Sequence, residues 1–147
     1  MPSDAFDNKK VAFLLDSQTV CVKDLCSQTS VTIAHDSKVD WLELNGRTDL
    51  LLFRDKRRFL HIYNLELQTR TQLLNFCTYV QWVPNSDVVV AQNRSNLCIW
   101  YNIHAPDQIT IHAIKGDIEE IERSEKGTAV IVDEVRAWVR VRFKSPA

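Results

Sequence analysis

His35-Asp36-Ser37 sets the three residue types of a nucleophilic relay side by side. Such a relay needs a base within hydrogen-bond reach of its nucleophile and an acid that orients the base, and adjacency in sequence does not supply that arrangement. The four histidines, His35, His61, His104 and His112, contain no pair four residues apart and stand beside no cysteine pair at zinc spacing. Cys21, Cys26, Cys77 and Cys98 are dispersed without a paired framework, and they read as reduced, buried thiols of a cytosolic-type compartment. Gly46, Gly116 and Gly127 are unclustered, so no loop is built to cradle phosphates. The sequence therefore assigns no catalytic residue, no cofactor, no metal ligand and no small-molecule substrate. An enzyme is the poorest reading.

One cluster carries concentrated charge: Arg54-Asp55-Lys56-Arg57-Arg58. Arg54, Lys56, Arg57 and Arg58 form a candidate partner-binding loop, since guanidinium and ammonium groups grip phosphates or an acidic segment. The bland alternative is a solvated hairpin connection whose charge blunts a sheet edge. That alternative is favoured, because no aromatic platform is interleaved with the cations as single-strand binding would want. Trp41 and Trp82 could likewise form an exposed pair for peptide capture. Their matching places in the repeat described below favour core packing instead, given the area an indole buries. The formal net charge of −1 gives no global pull toward nucleic acid or anionic membrane.

The elements that must position these residues announce themselves by repetition. Val20–Leu25, Leu60–Leu65 and Cys98–Ile103 echo one another, with Val22, Ile62 and Ile99 spaced 40 and then 37 residues apart. Val39-Asp-Trp41 recurs as Val80-Gln-Trp82. A period of about 40 residues built from short strands is the signature of WD-type propeller blades. Period-two alternation and β-branched enrichment run almost throughout, so strands dominate. Strands are expected at Val11–Leu15, Thr19–Lys23 and Ser30–His35, then Val39–Leu44, Leu50–Phe53, Phe59–Tyr63 and Thr71–Phe76, with Arg54–Arg58 as a polar turn. A third unit follows at Val80–Val83, Val88–Ala91, Leu97–Tyr101 and Ile109–Ile114, with Pro84-Asn85-Ser86-Asp87 as its turn.

The tail opens a fourth unit at Ile118, with Ala129–Val132 and Trp138–Val141 in its second and third slots. Asp117–Lys126 suits a short helix by its Ile118/Ile121 and Glu122/Lys126 spacings, whereas the repeat frame makes it a strand and turn. The strand is preferred. The expected fold is all-β: a partial WD40-type β-propeller of about three to three and a half four-stranded blades, not closed. Its parts are an N-terminal extension over 1–10, repeat blades over 11–117, and an incomplete terminal blade with a divergent end over 118–147. Uncovered blade faces at both ends predict a fragment or short form of a longer propeller protein. Met1–Asn8 has no apolar stretch of a secretory signal, and the longest apolar runs, Leu50–Phe53 and Val88–Ala91, are too short to span a bilayer.

The segments Lys38–Asn45, Leu51–Asp55, Val80–Arg94, Leu97–Ile103 and Ile114–Asp117 are distinctive, and together they resemble the intraflagellar transport protein 172 family, in its later WD-repeat region. The resemblance runs from Lys10 to Ile118 and departs near Val135. It implies a non-enzymatic scaffold of the intraflagellar transport B complex, acting in cilium assembly by docking other subunits, and located in the cilium, at the ciliary base and in the cytoplasm. The rival is a generic WD-repeat adaptor, a substrate receptor or nucleic-acid-binding propeller using the loop 54–58. The Trp-Asp slot of the family reads Lys23-Asp24, Tyr63-Asn64 and Trp100-Tyr101. The buried Asp–His relay of a strict blade is therefore expected to be incomplete, with Trp41, Trp82, Phe53 and Leu60 carrying cohesion by apolar packing.

Overall fold

A computed structural model of the chain describes residues 9–84, 86–124, 127–132 and 138–141, with side chains over 9–84 and 86–118. Among the described residues every regular element is a strand. The first sheet joins β1 (Lys10–Asp16), β2 (Thr19–Asp24) and β3 (Ser30–Ala34). The second joins β4 (Val39–Leu44), β5 (Leu50–Asp55), β6 (Leu60–Asn64) and β7 (Thr69–Leu74). The third joins β8 (Cys77–Trp82), β9 (Val89–Asn93), β10 (Asn96–Trp100) and β11 (Thr110–Ala113), and the last β12 (Ile118–Ser124), β13 (Gly127–Val132) and β14 (Trp138–Val141). Every pairing is antiparallel and joins strands consecutive in sequence. These fourteen strands amount to three and a half sets of four, and the fold class is a partial β-propeller with no sheet closed on itself.

The repeat is written into the turns as well as the strands. Asp24 Oδ1 accepts the backbone N–H groups of Cys26 and Ser27 at 2.9 and 3.2 Å, and Asn64 Oδ1 accepts those of Glu66 and Leu67 at 3.0 Å each. Short carboxyl and amide side chains offer the backbone this local partner, which is why Asp and Asn recur there. Gln28 and Gln68 close these two turns in the left-handed region, at φ 63° and 56°. In the third sheet the same role moves one place along, to Asn102, whose Oδ1 accepts the His104 N–H at 3.1 Å.

The chain divides into two compact units, Met1–Asn75 and Phe76–Ala147. In the first, Val20, Val22 and Ile33 of the first sheet pack with Val39, Leu51 and Phe53 of the second. In the second unit, Val83, Val88, Val90, Leu97 and Ile99 pack with Ile114 and Ile118. Burying each such side chain contributes roughly 2 kcal/mol before its ordering entropy is counted.

Several expectations are corrected here. Arg54 and Asp55 lie inside β5, so the polar connection is shorter than 54–58. Of the four expected core residues, Trp82, Phe53 and Leu60 are buried and Trp41 is only half-buried. The two tryptophans are not equivalent: Trp41 stands opposite Arg54, whereas Trp82 stands opposite Val89. A bulge between Val39 and Trp41, and another between Cys77 and Tyr79, make the alternation along the first strands a poor guide to register. Cys21, Cys77 and Cys98 are buried and Cys26 is exposed, in the Asp24 turn. The segment after Asp117 is strand, as the repeat frame leads one to prefer, and not helix. Its register skips a residue between Ile118 and Glu120, so that Ile118 and Ile121 face Val132 and Val130, two apart, and the three-residue spacing fits a strand after all. Met1–Asn8, Asn85 and the departure near Val135 lie outside the described residues.

Candidate functional site

The hairpin between β5 and β6 gathers the chemistry of the first unit. Asp55 ends β5 with no exposed surface, surrounded in sequence by four cations. Its Oδ1 accepts the backbone N–H groups of Arg57 at 2.9 Å and Phe59 at 3.2 Å, which folds the turn around the carboxylate. Arg58 completes the turn at φ 68°, donating its N–H to the Asp55 carbonyl at 2.9 Å. Asp55 Oδ2 lies 2.8 Å from His35 Nε2, 3.3 Å from His61 Nε2 and 3.0 Å from Arg57 Nη2. His35 arrives from the loop after β3, whose backbone is pinned by its N–H to the Gln18 carbonyl at 2.8 Å, while His61 projects from β6.

The tautomer of His35 follows from its second partner. Arg70 Nη1, on β7, reaches His35 Nδ1 at 2.9 Å, and a guanidinium can only donate. His35 Nδ1 is therefore the acceptor and Nε2 carries the hydrogen given to Asp55. The rings pack as tightly as they bond: His61 stacks on Phe53 at 5.0 Å and 23°, and His35 meets both edge-on. Burial by itself would raise the Asp55 pKa. The hydrogen bonds from His35, the Phe59 backbone, Arg57 and His61 outweigh it and hold the carboxyl at about 2. Burial pushes the His61 pKa down, against the pull of Asp55.

This is a complete buried Asp–His relay in the second sheet, against the expectation that the relay would be broken. The expectation looked for the acid at the end of the third strand, in the Trp-Asp slot. The acid sits one hairpin earlier, at Asp55, with His35 and His61 as its partners. His35, Asp55 and His61 also have the residue types of a metal centre, with ligand atoms within 4.8 Å of one another. Three donors already converge on Asp55 Oδ2, the His35 nitrogen facing the centre is protonated, and two arginines flank it. That donor set suits a carboxylate held by hydrogen bonds, not a cation.

The predicted basic loop is built on top of the relay. Arg54 is drawn away along the sheet, its Nε 3.0 Å from Asp40 Oδ1. Arg57 bridges buried Asp55 and exposed Asp36, the latter at 2.8 Å, and its guanidinium lies 5.0 Å above the Phe59 ring. Lys56 and Arg58 are exposed, and the Lys56 N–H donates to the Lys38 carbonyl at 2.7 Å. The structure thus brings Lys56, Arg57 and Arg58 together on one turn and separates Arg54 from them.

The sequence also offers Gln92–Asn96 as a docking loop, but Gln92 and Asn93 belong to β9 and Asn96 begins β10, and Gln92 instead builds a second polar centre, in the second unit. Gln92 on β9 is fully buried; its Nε2 donates to the carbonyls of Arg94 at 2.8 Å and Gly116 at 3.2 Å and to Asp117 Oδ1 at 3.2 Å. Its Oε1 accepts the Ile118 N–H at 2.9 Å. One amide therefore ties the connection between the third and last sheets to β9, an interior strand of the third sheet. The only signal in the sequence was a polar residue ending the apolar run Val88–Ala91.

No protein-family model matches the chain. Curated proteins do. The chain is 56% identical over 133 residues, 88% of its length, to intraflagellar transport protein 172 of Chlamydomonas reinhardtii. It is 50% identical over 129 residues to the human homologue of that protein and 47% identical over 132 residues to Caenorhabditis elegans intraflagellar transport protein osm-1. The chain spans only 7–8% of the length of these relatives. Among solved structures it resembles a chain of dihydro-heme d1 dehydrogenase NirN, in complex with DHE, with TM-score 0.65, 15% identity and coverage of 95% of this chain and 35% of that one. A chain of the S. cerevisiae complex of Dbp5 with Nup159 and Gle1 gives TM-score 0.57 at 12% identity, covering 89% of this chain and 40% of that one. At such identities these two likenesses concern the fold alone.

Proposed function

The chain is a homologue of one short stretch of intraflagellar transport protein 172, and on that premise we propose that it is a non-enzymatic interaction module of the intraflagellar transport B machinery, acting in cilium assembly. The observation that carries this reading is identity of 47–56% across 87–89% of the chain, in relatives from an alga, a nematode and vertebrates. The chain works in the cilium, at its base and in the cytoplasm, and its partners are other subunits of the complex.

The turn carrying Lys56, Arg57 and Arg58 is the docking loop of this reading. Its support is preorganisation: Arg57 is fixed by Asp55 and Asp36, and the backbone of Lys56 by Lys38, so the turn and the Arg57 side chain have little entropy left to lose on binding. Cations held in this way suit an acidic segment of a partner subunit. The competing adaptor reading, with nucleic acid on the same loop, would use the same exposed Lys56 and Arg58, and the formal net charge of −1 gives it no supporting field. Among the described residues, no helix is long and apolar enough to cross a membrane.

Titration of the purified chain onto reconstituted intraflagellar transport B subcomplexes tests the proposal. Saturable binding that weakens with salt and is lost in K56E/R58E is the expected result. Binding to nucleic acid in place of the subcomplexes would overturn it.

A further inference from the structure

Arg57 meets two carboxylates through a single nitrogen. Its Nη2 lies 3.0 Å from Asp55 Oδ2 and 2.8 Å from Asp36 Oδ1. Among the described residues, Nη1 and Nε have no polar partner. A guanidinium takes a carboxylate on two parallel N–H groups, end-on through Nη1 and Nη2 or side-on through Nε and Nη2. Both forks share Nη2, and its two hydrogens are already given to Asp55 and Asp36. A further carboxylate therefore enters a fork only where one of these two withdraws.

The two are held very differently. Asp55 has no exposed surface and also accepts from His35, His61 and the backbone N–H groups of Arg57 and Phe59. Asp36 stands at the bend between β3 and β4, its side chain 68% exposed. Apart from Arg57, its one polar neighbour among the described residues is His35 Nε2 at 3.5 Å, a nitrogen whose hydrogen goes to Asp55. An exposed ion pair of this kind contributes little to stability. Asp36 is thus free to swing into solvent while Asp55 keeps the guanidinium in place above the Phe59 ring.

We propose that the place now filled by the Asp36 carboxylate is the recognition subsite of the basic turn, taken by an Asp or Glu side chain of the partner, and that Asp36 is its built-in competitor. The ligand class is read from what already sits there, a carboxylate, and from the charge of exposed Lys56 and Arg58 on the same turn. Because Asp36 is tethered, it competes at a high effective concentration. A lone acidic residue does not displace it. A segment with several acids does, by engaging Lys56 and Arg58 at the same time. The turn is in this way selective for clustered acids. This deepens the docking role proposed for the turn and rests on it.

The test measures binding of a fluorescent oligoglutamate peptide to the full chain by anisotropy. D36N keeps the shape of the side chain and is expected to bind about fivefold tighter than the native chain, the factor an exposed ion pair of good geometry supplies. D36A should do the same. D40N removes an equal charge from the exposed pair with Arg54 and should leave affinity little changed. R57K keeps the charge but has no fork, so D36N/R57K should lose the gain. No gain in D36N and D36A would overturn the proposal, and so would an equal gain in D40N, which would reduce the effect to the general field. A gain for a single-stranded oligonucleotide in place of the peptide would overturn it as well. The docking role fails separately: native chain that binds the transport subcomplexes, with no gain in D36N, sinks only the subsite, whereas a gain on the peptide without subcomplex binding sinks only the docking role.

Discussion

His35 and Asp55, twenty residues apart, share a buried hydrogen bond of 2.8 Å whose direction is set by a third residue, Arg70, on the far side of the imidazole. The bond joins the loop leading into the second sheet to the hairpin in its middle. Because Asp55 also folds its own turn and anchors Arg57, the loop proposed to meet a partner and the relay that stabilises the sheet are one structure. Stability and docking can nevertheless be separated by choosing residues on either side of it.

Asp55→Ala strands the side-chain donors of His35, His61 and Arg57 and two backbone N–H groups. The expected cost is about 3 kcal/mol or more, since removing one partner leaves the others desolvated and unpaired. Asp55→Asn keeps an acceptor and should cost less. Urea unfolding of the first unit, followed by the fluorescence of Trp41, gives both values.

Acid should unfold the first unit ahead of the second. The Asp55 carboxyl, ordinarily near 3.8, is held at about 2, so its contribution is fully present above pH 4 and is lost as pH falls toward 2. A shift of that size corresponds to about 2 kcal/mol. The His61 pKa is lowered from 6.5 by burial, so protonation in the unfolded chain costs stability as pH drops below 6.5, in the same direction. Stability should therefore decline in two stages between pH 6.5 and 2, measured by urea midpoints across that range.

His61→Phe separates the two stages. A phenyl ring can keep the stack on Phe53 while giving up only the longest bond to Asp55, at 3.3 Å. Stability at pH 7 should change by no more than about 1 kcal/mol. The decline that begins below pH 6.5 should shrink, and the one toward pH 2 should remain.

Gln92→Leu keeps the volume but removes an amide that serves Arg94, Gly116, Asp117 and Ile118. It should cost on the order of 2 kcal/mol, concentrated at the start of β12. Faster hydrogen exchange at the Ile118 N–H, with exchange in β9 and β10 unchanged, would be its signature.

The strand frame was legible because alternation is local: Val39–Leu44 and Trp138–Val141 were placed to the residue, and the 40-residue echo at Val22 and Ile62 reflects a true register match. What alternation cannot show is a bulge. The Trp41 and Trp82 echo was misleading because the register matches Trp41, opposite Arg54, with Tyr79, opposite Gln92, while the Ile118–Ile121 spacing imitated a helix because of the irregularity between Ile118 and Glu120. The relay was illegible because Asp55 sits among cations, where a carboxylate reads as one more solvated charge. Only the return of His35 from 20 residues away shows that it is the buried centre of the group. The family, by contrast, was carried by runs such as Val80–Arg94, in which surface and core residues are specified together.

The most direct test of the proposed role is affinity purification of the tagged full chain from ciliated cells, with mass spectrometry of what is recovered, run beside K56E/R58E. Recovery of intraflagellar transport B subunits with the native chain, reduced in the double variant, is the predicted result. Recovery of chaperones alone, with no subunit of the complex, would contradict it.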